Sequence, residues 1–181
     1  MIDCGMKDSI SPLDGRYSSE TEELLPYFSE RALIRYRIKV EIEYLIALSK
    51  EKTLVGLPAF TKKQEATYRK IYSNFNANTA KEVKKVEQRT NHDVKAVEYY
   101  IRSKINKSIH PWVHFALTSE DVNNLSYTLM WRDALKKVYI PQLTQVLKDL
   151  KTLSNKYANT AMLSMTHGQP ATPTTFGKEI R

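Results

Sequence analysis

The sequence predicts an all-α protein, with a helical N-terminal domain over residues 1–117 and the beginning of a long central helical bundle over 118–181. Two observations carry that class. Between Gly56 and Gly168 there is no glycine, and only Pro58, Pro111 and Pro141 interrupt the same stretch. Sheets need frequent tight turns whose reversed dihedrals favour Gly, Asn or Asp, and residues 57–167 offer only scattered asparagines. The second is apolar spacing, which recurs every three or four positions through several long segments. Leu, Ile, Val and Phe make up about a quarter of the 181 residues, enough for a folded core rather than a disordered charged chain.

A first long helix is predicted from about Ser29 to Lys50. Leu33, Tyr36, Val40, Tyr44 and Leu48 form one stripe, with Ile34, Ile38, Ile42 and Leu45 beside it, so the helix wants partners on two sides. Thr61-Lys62-Lys63-Gln64 opens the next helix, because threonine can accept from the amide three residues on while the glutamine reaches back. Thr79-Ala80-Lys81-Glu82 reads as the same device for the helix after it. Another begins near Asn91, with Val94, Val97, Ile101 and Ile105 inward. The last long element runs from Thr118 or Ser119 to about Tyr157. Val122, Leu125 and Leu129 form its first seam, but continuing that phase lands on Arg132 and Lys136. From Tyr139 the positions Leu143, Val146, Leu150, Leu153 and Tyr157 form a bundle seam of alternating four- and three-residue steps, so the phase shifts near Pro141, where a kink is expected. A polar loop, Thr166-His167-Gly168-Gln169-Pro170, then leads to Thr172-Pro173, read as a cap and first turn. That final helix has a start and no end before Arg181, which suggests that the sequence continues in a longer protein.

The formal net charge is +8, and 12 basic against 5 acidic residues between Lys62 and Lys107 supply most of it. Such a segment attracts anions, whether nucleic acid, an acidic membrane surface or a small multiply anionic substrate, and it reads equally as a solvated helix surface rich in lysine. The single cysteine, Cys4, excludes an intrachain disulfide and favours a reducing, cytoplasmic setting. The polar start Met1–Asp8 does not resemble a secretion signal. No apolar run approaches the roughly 18 residues that span a membrane.

Four histidines are present, and three stand beside other hydrogen-bonding groups. His92 lies between Asn91 and Asp93 at an expected helix start, where free amides favour an anion; from these residues alone, Asn91 as a cap and His92 as a surface residue is the better reading. His114 falls in the apolar stretch Trp112-Val113-His114-Phe115 and reads first as a core histidine with one satisfied nitrogen. Thr118-Ser119-Glu120-Asp121 is a rich helix start that capping also accounts for. His167 is the most suggestive, because beside Gly168 the backbone can approach a ligand and imidazole titrates near neutrality. The sequence contains no phosphate-binding glycine loop, dinucleotide fingerprint, paired-histidine metal helix or cysteine cluster, so neither a cofactor nor a metal is implied.

Four segments together resemble the adenylosuccinate lyase family of the fumarase and aspartase superfamily. They are Ser11-Pro12-Leu13-Asp14-Gly15-Arg16-Tyr17, Thr90-Asn91-His92-Asp93-Val94-Lys95-Ala96-Val97-Glu98-Tyr99, His114-Phe115-Ala116-Leu117-Thr118-Ser119-Glu120-Asp121 and Thr166-His167-Gly168-Gln169-Pro170-Ala171-Thr172-Pro173. The last two occur across the superfamily and speak to reaction type, while the first two point to this member. The resemblance implies a homotetramer with a central helical bundle and active sites shared between subunits. It implies carbon–nitrogen cleavage of adenylosuccinate to AMP and fumarate, and of the succinyl carboxamide ribotide earlier in purine synthesis. By position, His167 would be the general acid, and Arg16 and Tyr17 would grip the phosphate. Asn91, His92 and Asp93 would orient substrate, Thr118 and Ser119 would hold a succinyl carboxylate, and His114 would line the same pocket. The family's serine base and its other substrate-binding residues would lie beyond Arg181, so these residues alone are expected to be inactive. Met165 also departs from the basic residue that some relatives place before the threonine. Competing readings are a basic helical nucleic-acid-binding module, a pure assembly module, and a superfamily member with another amino-succinate or malate substrate.

Overall fold

The computed structural model describes residues 10–181; Cys4 and the polar start lie outside the described residues. The chain divides into two compact units, one ending at Ala134 and one spanning Leu135–Arg181. The described residues are mostly helical, and a single two-stranded antiparallel hairpin among them departs from the all-α expectation.

From residue 10 the first unit shows turns and a short 3₁₀ segment, Glu22–Leu24, followed by α1 (Leu25–Phe28) and α2 (Glu30–Leu48). Ser29 caps α2, its Oγ accepting the Ala32 amide at 3.1 Å. The predicted stripe Ile34, Ile38, Ile42 and Leu45 is buried, together with Tyr36 and Val40. Each such side chain contributes roughly 1.5–3 kcal/mol on full burial. Helices α3 (Lys62–Ser73), α4 (Ala77–Thr90) and α5 (Asp93–Lys104) follow. Thr61 and Gln64 form the predicted reciprocal capping box. The start of α4 differs from expectation: Asn76 is the cap, its Oδ1 accepting the Asn78 and Thr79 amides at 2.9 and 3.1 Å. Thr79 therefore stands inside the helix, because the Asn76 side chain three residues earlier already accepts its amide and Asn is at least as good a cap as Thr. Val83, Val97, Tyr100 and Ile101 meet α2 in one core with Ile109 and Val113.

A 3₁₀ segment, Lys107–Trp112, leads through a loop to α6 (Ser119–Ala134). Its inward face is Val122, Ser126, Met130 and Ala134, while Leu129 is half-buried and Leu125 exposed, so the predicted seam holds at Val122, partly at Leu129 and not at Leu125. α6, on the far side of the expected boundary at 117/118, packs on α2.

The second unit opens with a five-residue π-helical segment, Leu135–Tyr139, followed by α7 (Ile140–Lys156). The single element expected from 118 to 157 is thus interrupted where its apolar phase fails, since a π segment takes up extra residues per turn. Tyr139, Leu143, Val146, Leu150 and Leu153 are all exposed, leaving the predicted seam uncovered among the described residues. Strands β1 (Ala161–Thr166) and β2 (Gln169–Thr175) replace the expected loop and cap at Thr172. Pro170 and Pro173 face Met165 and Leu163, tolerable because a two-stranded ribbon has only edge strands. The final helix, α8 (Phe176–Ile180), starts three residues later than predicted, with Thr175 as its cap. No helix among the described residues is long and apolar enough to cross a membrane.

Candidate active site

The candidate residues are set in place by unusual backbone. Among the described residues, four non-glycine positions have positive φ: Asn91 (49°), His114 (63°), Ala116 (55°) and His167 (49°). For an L-residue this conformation costs about 1–2 kcal/mol, and it persists where surrounding contacts over-determine it. Three of the four were singled out from sequence alone.

Asn91 ends α4 in the left-handed conformation, its amide bonded to Glu87. The cap of α5 is His92, whose ring Nδ1 accepts the Lys95 amide at 3.2 Å. That bond places the neutral ring's proton on Nε2, at a half-exposed position. The helix expected from Asn91 therefore begins at Asp93, and the turn between α4 and α5 is sharp because Asn91 tolerates positive φ.

Asp93 is tied down from α2. Arg37, 5% exposed, reaches Asp93 Oδ2 at 2.7 Å and donates from Nε to Asn123 Oδ1 of α6 at 2.9 Å. Partial burial pushes the Asp93 carboxyl up, but the Val94 amide and the Arg37 guanidinium outweigh it and hold the group below its usual range. One turn further along α2, Glu41 lies against His114, with Oε1 2.5 Å from ring Nδ1. Burial raises the Glu41 carboxyl, opposed by the hydrogen bond from His114. Glu98 of α5 approaches the other ring nitrogen at 3.8 Å. The loop carrying His114 is further held by the Tyr44 hydroxyl, which donates to the Phe115 carbonyl at 3.0 Å.

At the start of α6, the Asp121 carboxylate accepts both the amide and the hydroxyl of Thr118 at 2.7 Å, which holds the Asp121 carboxyl below its ordinary range. Thr118 is therefore committed to capping, whereas the Ser119 hydroxyl has no hydrogen-bond partner among the described residues. A cavity of about 410 Å³ opens beside this helix start, between α2 and α6, with Lys39, Tyr44, Leu117 and Asp121 in its lining.

Thus α2 brings Asp93, His114 and the start of α6 into one network. Arg16 and Tyr17 are not part of it. They lie in the turns before α1, exposed, with the guanidinium 5.5 Å from the centre of the Tyr17 ring. In the second unit, His167 and Gly168 form the two-residue tip of the hairpin, both at positive φ. This is the reversed turn that matches strand twist, and it presents the imidazole to solvent. Among the described residues, no group of three His, Cys, Asp or Glu could hold a metal.

Arg37, Glu41 and Glu98 were not singled out from the sequence. The available signal was two opposite charges four residues apart inside the apolar stripe of α2, where ionised groups stay only if paired.

A lyase family model matches residues 15–181. The adenylosuccinate lyase of Legionella pneumophila (strain Corby) is 46% identical over 178 residues, covering 96% of this chain and 39% of the relative. That of Dictyostelium discoideum is 45% identical over 180 residues, with 95% and 39% covered. The present chain thus spans about two fifths of the length of these relatives. Among solved structures, a fumarate lyase from Mesorhizobium sp. BNC1 shares the fold with a TM-score of 0.69 at 18% identity, over 88% of this chain and 36% of that one.

Proposed function

The chain belongs to the lyase family, and from that premise we propose that it is part of an adenylosuccinate lyase, eliminating fumarate from adenylosuccinate to leave AMP and from the succinyl carboxamide ribotide of purine biosynthesis. The observation that carries this reading is the match over 96% of the chain to a relative of that name at 46% identity. It favours the lyase over the nucleic-acid-binding and assembly readings.

In the elimination, a base takes the proton from the carbon beside a carboxylate. The electrons of that bond form the double bond of fumarate as the carbon–nitrogen bond breaks. The departing nitrogen is protonated by His167, whose exposed place at a turn tip supports a role that needs access to substrate. Arg16 and Tyr17 bind the nucleotide phosphate, Arg16 through its forked guanidinium. Asn91, His92 and Asp93 orient the substrate, with Asp93 held by Arg37 and His92 presenting Nε2–H. Ser119 offers the freer hydroxyl for a succinyl carboxylate, and Thr118 shapes the helix start around it. His114 lines the same pocket. The excess of positive charge between Lys62 and Lys107 suits a substrate bearing a phosphate and two carboxylates.

The uncovered seam of α7 supports assembly into a bundle, which we propose is a cytoplasmic homotetramer with shared active sites. In that assembly residues 118–181 open the central domain. Fumarate release from adenylosuccinate by the longest polypeptide the gene encodes, beside residues 1–181 alone, tests the reading. Release by the long form only is expected, and His167→Ala in that form should abolish it with the fold intact. No release by either form overturns the substrate assignment.

A further inference from the structure

Glu41 is an anomaly of the core. It is 2% exposed on the face of α2 that otherwise buries Ile38, Ile42 and Leu45, and one of its oxygens, Oε2, is buried with no hydrogen-bond partner among the described residues. Burying a carboxylate with half of its acceptors unsatisfied is costly, and an apolar residue of similar size would serve packing better. Its other oxygen meets His114 Nδ1 at 2.5 Å.

The rest of the surroundings restrict the ring in the same sense. His114 is held at φ 63°. Glu98, 3% exposed, stands 3.8 Å from Nε2, too far for a hydrogen bond; its other oxygen is engaged by Lys95 at 2.9 Å and faces Arg102 at 3.5 Å. Nδ1 is thus sealed by a buried acceptor, while Nε2 is the nitrogen left for a ligand.

We infer that Glu41 is a positioning residue for His114: its carboxylate holds the imidazole proton on Nδ1 and fixes the ring plane, so that Nε2 alone meets the substrate. The last clause rests on the lyase reading, whereas the tautomer and its cause do not. This is the arrangement by which an outer carboxylate orients a working histidine, here built across 73 residues of sequence.

The test is nitrogen NMR of the protein carrying ¹⁵N-histidine, with resonances assigned by single histidine substitutions and no ligand present. His114 should show a protonated Nδ1 and an unprotonated Nε2 in its neutral form. Glu41→Leu, which removes the acceptor and fits the apolar face, should abolish that preference. Glu41→Gln retains an acceptor oxygen and should restore it, and Glu98→Gln should leave it unchanged. A neutral His114 with its proton on Nε2 in the unaltered protein overturns the inference whether or not the variants fold. So does an unchanged pattern in folded Glu41→Leu. In a polypeptide that releases fumarate, Glu41→Leu should lower kcat/KM by about tenfold or more, the scale seen when metal-bound histidines lose an outer partner, and Glu41→Gln should recover most of it. Absence of fumarate release with the Nδ1–H pattern intact overturns the lyase reading and supports the positioning of His114.

Discussion

Replacing Ala116 by glycine should stabilise the protein, whereas the same change at Ala66 should destabilise it. Ala116 is exposed and sits at φ 55°, so its methyl group packs on little and clashes with its own backbone. Releasing that conformation returns about 1–2 kcal/mol. The added freedom of glycine in the unfolded chain takes back about 0.5–1 kcal/mol, leaving a net gain on the order of 0.5–1 kcal/mol. Ala66 is also exposed, but it lies in the interior of α3, where Ala→Gly costs about 1 kcal/mol. Both positions belong to the unit ending at Ala134, so one unfolding transition reports on both. At roughly 2–4 °C per kcal/mol for a chain of this size, the two variants should melt about 3–8 °C apart, on opposite sides of the parent. Thermal denaturation followed by circular dichroism reads this directly. If Ala116→Gly lowers the melting temperature as much as Ala66→Gly does, the loop carrying His114 is not strained as described.

Three further outcomes are expected. Asn76→Ala should cost about 1 kcal/mol because it removes the cap of α4, while Thr79→Ala should stay within about 0.5 kcal/mol; urea midpoints of the two variants rank them. A Cβ at Gly177 would lie 2.3 Å from the Ser154 carbonyl oxygen and 2.6 Å from the Ala158 nitrogen, backbone atoms that cannot swing aside. Gly177→Ala should therefore destabilise the Leu135–Arg181 unit by about 1–3 kcal/mol, seen as earlier loss of amide exchange protection in α7 and α8. The Arg69 guanidinium, bonded to Glu43 at 2.8 Å, holds the Glu43 carboxyl below its usual range despite partial burial, with help from the Tyr72 hydroxyl. A carboxyl depressed in the folded state contributes stability above its unfolded value near 4.5 and loses it as pH falls through the folded one. Arg69→Met should accordingly raise the Glu43 titration toward 4.5 by carbon NMR and reduce the loss of stability below about pH 4.5. An unshifted Glu43 would show that the ion pair does not form in solution.

Much of the helical scaffold was legible because its determinants are local. The Thr61–Gln64 box spans three residues, and the apolar stripe of α2 repeats within one turn, so neither depends on what lies elsewhere. The misreadings came from competition between neighbours of similar type. Thr79 lost the cap to Asn76, and Asn91 yielded the start of α5 to His92 because it serves better at positive φ. At the hairpin, Thr172-Pro173 suggested a cap and a first helical turn. What decides that stretch is the His167–Gly168 pair, which can adopt the reversed two-residue turn and fold one strand back on the other.

The residues that hold the candidate site divide along the same line. Sequence alone determined which side chains have suitable chemistry, because His167 beside Gly168, the Asn91-His92-Asp93 turn and the hydroxyls at Thr118 and Ser119 are contiguous. It determined the buried faces of α2 and α5 as well. Only the tertiary structure decided that Arg37 reaches Asn123 across 86 positions and that Glu41 reaches His114 across 73. Charges four apart on an apolar stripe announce that partners must exist, since unpaired ions are not retained in a core. Their identity depends on which helices pack against α2 and in what register, and that is settled by side-chain fit across the whole interface rather than by any short stretch of chain.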